Sequence, residues 1–239
     1  MSTEPPTSPI KIVTENVSQS VTETASEERN TGRLEAFSDG VFAIAVTLLV
    51  LDIKVPPIGT LAEVKRTLWD ALLDQWPVYA AYVISFSTIL IMWINHHNLF
   101  KHIKRTDHLF LLLNGLLLMV VTVIPFPTAL LAEYLRETNS YDPNVATIIY
   151  GSTNVLLAIS FNLMWRYAIY NNRLLDRNAD QEAVAAISRQ YRYGPLIYLF
   201  TVLVATVSVW VSLILIAGLA IFFHATNFAQ SLGEINVSA

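Results

Sequence analysis

A carboxylate and a hydroxyl lie side by side where the first apolar stretch of the chain begins. Ser38 and Asp39 directly precede Gly40 and the apolar run Val41–Leu51. An ionisable group at membrane depth costs about 2.5 kcal/mol or more, so it marks a candidate functional site. Lipid offers Asp39 no partner, and we therefore expect its carboxylate to turn into the protein and help to hold helices together. The Ser38 hydroxyl is suited to cap free N–H groups at a helix start.

Histidines form a second group that is capable of chemistry. The segment after the second apolar stretch contains His96, His97, His102 and His108. Histidine is a common metal ligand, but a di-iron site also needs carboxylates to complete its coordination shell. No His-Glu-x-x-His pair, nucleophile elbow or phosphate loop occurs in the chain. We therefore expect structural or pH-sensitive histidines and no catalytic residue, with a histidine-site membrane enzyme as an alternative.

The composition places the chain in a lipid environment. Of its 239 residues, 54% are hydrophobic and only 14% are charged, whereas a soluble domain carries about 25% charged residues. The net charge of −4, without a basic patch, argues against a nucleic-acid partner. The chain has no cysteine, which excludes disulfides and thiolate metal sites.

The chain divides into three regions. Residues 1–31 are rich in Ser, Thr, Glu and Pro and lack the apolar core of a signal peptide, so they predict a disordered cytoplasmic tail. Residues 32–225 hold the apolar stretches and predict one all-α, polytopic transmembrane domain. Residues 226–239 predict a short C-terminal tail.

The apolar stretches predict six transmembrane helices. A helix needs about 20 mainly apolar residues to cross a bilayer. Tyr193–His224 is too long for one helix, so we expect two helices that turn near Val207–Ser212, the first of them starting within Gln181–Tyr193; five spans are the alternative. Pro125 and Pro127 should kink or loosen the final third of the third span. The other predicted spans are Ala36–Ile53, Trp76–Asn95, Leu109–Leu131 and Val145–Tyr167.

Loop charges predict the orientation. The connections after the second and fourth spans are basic, whereas those after the first and third are balanced or acidic. Basic residues stay in the cytoplasm, so the N-terminus is predicted to be cytoplasmic in a multi-pass protein of the plasma membrane. The basic residues are Lys101, Lys104, Arg105, Arg166, Arg173, Arg177, Arg189 and Arg192.

The first span has two different faces on a helical wheel. At 100° per residue, Ile44, Leu48 and Leu51 share one stripe with Thr47 at its flank, and Asp39 projects from roughly the opposite side. An aliphatic stripe is typical of any membrane helix. The periodicity alone therefore does not predict a pore.

The same residues resemble a known family. Arg33, the run Phe37-Ser38-Asp39-Gly40 and the stretch that follows them are similar to the first helix of bacterial members of the transmembrane protein 175 family, which are potassium channels. Trp93-Ile94-Asn95-His96-His97, Asn114 and the helix pair at the C-terminal end extend the resemblance. It spans Arg33 to His224.

The resemblance implies a potassium-selective channel. Bacterial members carry one six-helix unit per chain and assemble as homotetramers in the lipid bilayer, and the first helix of each subunit lines the central pore. The implied constriction is a hydrophobic gate of Ile44, Leu48 and Leu51, with a threonine layer at Thr47. No cofactor is implied, and potassium is the permeant ion. The implied structural network behind the pore consists of Arg33, Phe37, Ser38, Asp39, Trp93, His97 and Asn114.

A secondary transporter is the other alternative. Transporters often have broken helices at the middle of the membrane and inverted repeats. Pro125 and Pro127 are candidates for such a break, but they lie near the end of a span, and the two halves of the chain show no convincing repeat.

Overall fold

The computed structural model describes residues 30–57, 67–135, 141–176 and 181–219. Within them the fold is all-α and has six main helices, as the apolar stretches predict. The helices are α1 (Asn30–Asp52), α2 (Trp76–His102), α3 (His108–Tyr134), α4 (Asp142–Ile169), α5 (Gln181–Ala205) and α6 (Val209–Leu219). A short helix, Leu68–Asp74, precedes α2.

The first four helices are each long and apolar enough to cross a membrane. A helix satisfies its own backbone hydrogen bonds, which is the condition for crossing hydrocarbon. The helices α1 and α2 extend six and seven residues beyond the predicted spans, from Asn30 rather than Ala36 and to His102 rather than Asn95. Hydropathy marks only the part within the bilayer, whereas a helix continues through polar residues outside it.

The C-terminal part of the described chain forms two helices, as expected, rather than one long helix. The helix α5 ends at Ala205, and a turn at residues 206–208 leads into α6. The helix α5 also begins at Gln181, within the predicted amphipathic stretch. The end of the last predicted span and the tail 226–239 lie outside the described residues, as does the tail 1–31 apart from Asn30 and Thr31, which begin α1.

The prolines loosen α3 in its final third, as predicted. The helix is interrupted at Ile124, between His108–Val123 and Pro125–Tyr134. Pro125 has no N–H to donate to the carbonyl four residues earlier, which breaks the hydrogen-bond series there. Ile124 keeps right-handed helical angles, so the chain continues in the same general direction.

Helices α4 and α5 approach each other closely because small residues lie between them. A Cβ atom added to Gly151 would lie 2.9 Å from a methyl carbon of Val202, and one added to Gly194 would lie 3.9 Å from the Cβ atom of Ala158. Small residues allow helix backbones to pack closely in membranes, where no hydrophobic effect drives helices together.

One end of the bundle is tied by backbone hydrogen bonds between two connections. The Lys104 N–H donates to the carbonyl of Leu174 at 3.0 Å, and the Asp176 N–H donates to the carbonyl of His102 at 3.0 Å. The Thr31 hydroxyl at the start of α1 donates to the carbonyl of Lys104 at 3.2 Å. This end, called the loop edge below, therefore joins the beginning of α1 to the connections that follow α2 and α4.

Candidate functional site

The first helix is anchored along one face. Ser38, Ala45 and Leu49 are fully buried, and Phe42 is 2% exposed. These positions repeat at intervals of three or four residues, so they form one stripe along α1. This stripe packs against the rest of the chain. On a helical wheel its residues Phe42 and Leu49 lie on the side opposite Ile44.

The other face of α1 is open within the described chain. Ile44, Leu48 and Leu51 are 59%, 40% and 67% exposed. Thr47 is also exposed, and its hydroxyl donates to the carbonyl of Ile44 at 2.9 Å. Because the hydroxyl proton is used in this way, the oxygen lone pairs remain available as acceptors. The four residues that the resemblance assigns to a pore thus share the exposed side of the helix.

A chain of buried side chains fastens α1 to α2 and α3. The Asn114 Nδ2 donates to the Ser38 Oγ at 3.0 Å, and the Asn114 Oδ1 lies 3.0 Å from the His96 Nε2. Ser38 in turn donates to the carbonyl of Leu34 at 2.9 Å. Since Oδ1 can only accept, the His96 Nε2 carries the proton in this arrangement. The His96 side chain therefore holds the buried face of α1 through Asn114.

Aromatic rings enclose the His96 imidazole. The Phe100 ring stacks on it with centroids 4.5 Å apart, and the Phe42 ring lies at 5.4 Å. The Nδ1 atom has no hydrogen-bond partner among the described residues. A buried polar atom without a partner is costly, so the position of this ring depends on the single bond to Asn114.

Two further pairs of side chains, both exposed, join α1 to α2. The Trp93 Nε1 donates to the Asp39 Oδ1 at 2.9 Å, and the His97 Nδ1 lies 2.9 Å from the Glu35 Oε1. The side chain of His97 is 49% exposed and that of Glu35 is 27% exposed. Even between two charged groups an exposed pair contributes only about 0–1 kcal/mol, so these pairs add less than the buried chain does.

The structure thus brings together five of the seven residues expected in the network. Ser38 and Asn114 contact each other, Asp39 contacts Trp93, and His97 stacks near Trp93 at 6.3 Å. The other two, Arg33 and Phe37, are exposed, with Phe37 at 64%. Phe37 lies on the open side of α1, since seven residues, about two turns, separate it from Ile44.

The network expected from the sequence did not include two of its participants, His96 and Glu35. The spacing of His96 was a signal in the sequence, because residues 85, 89, 92, 96 and 99 repeat at helical intervals. The structure buries all five of them. That stripe separates His96 from its neighbour His97, which is rotated by 100° toward solvent. We find no comparable signal for Glu35, whose partner lies on another helix.

The histidines do not come together as a metal site within the described ranges. No group of three His, Asp or Glu side chains there is arranged to hold a metal ion. His96 binds Asn114 and His97 binds Glu35, while the His102 ring meets the Trp165 ring edge-on at 6.4 Å. Each of these three imidazoles thus has a contact of a different kind.

A polar cluster around Asp107 stabilises the loop edge. Asp107 caps α3 by accepting from the Phe110 N–H at 2.9 Å, and it also accepts from the Tyr167 hydroxyl at 2.5 Å. The Arg173 Nε lies 3.3 Å from the same carboxylate. Partial burial raises the pKa of Asp107, but the hydrogen bonds from Tyr167 and Phe110 and the charge of Arg173 outweigh it and hold the pKa below its ordinary value.

The sequence of this chain is similar to those of known proteins. A family model described as endosomal/lysosomal potassium channel TMEM175 matches residues 33–125, which include most of α1, all of α2 and α3 as far as Pro125. A potassium channel of Chamaesiphon minutus is 50% identical over 83% of this chain and 96% of its own length. A potassium channel of Streptomyces collinus is 46% identical over 80% of this chain and 90% of its own length.

A solved structure is similar as well. The crystal structure of a lysosomal potassium-selective channel TMEM175 homolog from Chamaesiphon minutus superposes with a TM-score of 0.75 at 46% identity. The superposition covers 84% of this chain and 99% of that chain. The likeness therefore extends over nearly the whole of the solved protein.

Proposed function

The chain belongs to the endosomal/lysosomal potassium channel TMEM175 family, and from this membership we propose that it conducts potassium through a pore lined by α1. The family is one of ion channels, so the chain is not an enzyme. The helices make it a multi-pass membrane protein. The secondary transporter has no comparable support.

The division of α1 into two faces carries the proposal. One face is buried against α2 and α3, and the opposite face leaves Ile44, Leu48 and Leu51 open. One helix cannot enclose a pore, so the proposal requires an oligomer in which the open faces meet around an axis. We propose a homotetramer, in agreement with what the resemblance implies.

The aliphatic side chains then act as a gate. Four copies of Ile44 around an axis form an apolar collar, and a narrow apolar ring blocks ions when it is dry. Widening the ring rewets it and opens the path. Potassium sheds its water more readily than sodium, so partial dehydration at the collar favours potassium. The Thr47 oxygen, whose proton is donated to the Ile44 carbonyl, can replace part of the lost water.

The contacts behind α1 have a positioning role in this proposal. The buried chain from His96 through Asn114 to Ser38 sets how far α1 stands from α2 and α3. Any change in its length moves Ile44 relative to the pore axis. We place the loop edge and the N-terminus in the cytoplasm, and the channel in the plasma membrane, because Lys101, Lys104 and Arg173 lie at this edge.

The test is a reversal potential. Purified protein is reconstituted in a planar bilayer with potassium on one side and sodium on the other. We expect unitary current steps that reverse near the potassium equilibrium potential. A preparation shown to be tetrameric that passes sodium and potassium equally would refute potassium selectivity, and one without unitary steps would refute a channel.

A substitution then tests the collar. Ile44→Asn introduces a polar side chain of comparable size and should lower the preference for potassium over sodium. The matched control is Val50→Asn, since Val50 is also exposed, at 48%, but does not lie on the line of Ile44, Leu48 and Leu51. Unchanged selectivity in Ile44→Asn, or an equal loss in both variants, would show that Ile44 is not the filter.

A further inference from the structure

A proline interrupts the hydrogen bonds of α5 inside the membrane domain. Pro195 lies in the interior of this helix. It has no N–H, so the carbonyl of Tyr191, four residues earlier, loses its helical donor. An unsatisfied carbonyl in hydrocarbon costs several kcal/mol, and interior prolines are tolerated where a neighbouring helix supplies a replacement.

A side chain of α4 fills this gap. The Asn162 Nδ2 donates to the carbonyl of Tyr191 at 2.6 Å. We propose that Asn162 is a positioning residue, whose amide replaces the hydrogen bond that Pro195 removes and thereby fixes the backbone of α5 at this break and holds Tyr191 between α2 and α4. The Asn162 amide thus supplies one hydrogen bond, to the carbonyl oxygen of Tyr191.

A second asparagine of α4 acts in the same way at the end of α5. The Asn144 Nδ2 donates to the carbonyl of Ala205 at 2.7 Å. Ala205 ends α5, where helical carbonyls run out of backbone donors. Eighteen residues separate Asn144 from Asn162, which is five turns of α-helix, so the two amides lie on one face of α4. Each amide contacts α5 at a carbonyl for which the backbone of α5 provides no donor.

Packing alone does not fix α5 at the missing hydrogen bond, because space remains beside it. A small cavity of about 30 Å³ lies next to the proline, and Asn95, Tyr191, Gly194 and Tyr198 are among its lining residues. Gly194, directly before the proline, adds no side chain to fill it. The hydrogen bond from Asn162 therefore adds a directional contact to the backbone of Tyr191 that packing at this place does not supply.

Tyr191 links this part of α5 to the helix that supports α1. Its ring lies 6.0 Å from those of Phe161 and Trp165 on α4, and its hydroxyl lies 3.5 Å from the carbonyl of Asn95 on α2. Asn95 directly precedes His96, which begins the buried chain to α1. A shift of Tyr191 is thus passed to the residue next to the support of the first helix.

The test is a double-mutant cycle on the full chain in mixed micelles. Asn162→Leu should raise the unfolding equilibrium constant by about 3- to 20-fold, the range measured for hydrogen bonds between membrane helices. In the Pro195→Ala background position 195 again has an N–H for Tyr191, so Asn162→Leu should have less than about a twofold effect. Equal effects in both backgrounds, or no effect in either, would overturn the proposal.

The control is Asn144→Leu, which should have the same effect in the parent and in the Pro195→Ala background, because Ala205 lies far from the proline. If Asn162→Leu alone fails to fold, recovery of folded protein in Asn162→Leu with Pro195→Ala supports the proposal, and failure of both refutes it. An Asn144→Leu effect that Pro195→Ala also removes would show a general change in α5 and would refute the specific role.

A current measurement separates positioning from stability. In single channels, Asn162→Leu should change the fraction of time that the pore conducts, and the added Pro195→Ala should restore it; a purely structural role changes only the amount of folded protein. This arm rests on the proposed function. A parent protein that never conducts refutes the proposed function, whereas the unfolding cycle decides on Asn162 by itself.

Discussion

Removing the central member of the buried chain should loosen the first helix. Asn114→Leu keeps the number and branching of the heavy atoms but removes the amide that contacts both Ser38 and His96. Hydrogen bonds between helices of a membrane protein average about 0.6 kcal/mol and reach about 1.7 kcal/mol. Two of them place the loss at about 1–3 kcal/mol, since Asn114 is 1% exposed and water cannot compensate.

The assay is reversible unfolding in mixed micelles with increasing denaturing detergent. A loss of about 1–3 kcal/mol lowers the ratio of folded to unfolded protein by about 5- to 150-fold. Thr122→Val is the matched control, because Thr122 is on the same helix, is exposed and donates only to the carbonyl of Met119 within α3. An Asn114→Leu protein as stable as the Thr122→Val protein would refute the reasoning.

The remaining predictions concern other contacts of the bundle. Lowering the pH below about 4 should destabilise the parent protein, because the pKa of Asp107 is lower in the folded state than in the unfolded state. Such a carboxylate stabilises the fold above its unfolded pKa, and this contribution is lost as the carboxylate is protonated. Asp107→Asn should flatten this part of a plot of melting temperature against pH, and an identical plot would contradict the role of Asp107. Gly151→Ala should cost about 1–3 kcal/mol in detergent unfolding, since its Cβ would lie 2.9 Å from a Val202 methyl carbon, and Val202→Ala should recover part of this loss; no recovery would locate the strain elsewhere. Trp93→Phe removes the exposed bond to Asp39 and should cost less than about 1 kcal/mol in the same assay; a larger loss would mean that this pair, rather than the buried chain, anchors α1.

The helices themselves were predictable because their signals are local. A run of about 20 apolar residues is sufficient to predict a span, and Pro125 is sufficient to predict a break in α3. The stripe of Ile44, Leu48 and Leu51 also follows from the 3.6-residue period. These features depend on residues within one helix, so no knowledge of the rest of the chain is needed.

The helix ends were less predictable. The helix α1 begins at Asn30, well before the apolar stretch, and its start is tied to the carbonyl of Lys104 far along the chain. Hydropathy reports the solvent of a residue rather than its backbone conformation. The polar turns outside the bilayer are therefore invisible to a hydropathy argument.

The sequence by itself determined that this is a membrane protein of several helices, and that Ile44, Leu48 and Leu51 share one face of α1. Only the tertiary structure decided that His96 rather than His97 reaches Asn114, and that Asn162 meets the carbonyl that Pro195 leaves without a donor. Periodicity states which side of a helix a residue is on. It does not state which residue of another helix lies opposite, because that depends on how the helices pack and on the depth at which they meet.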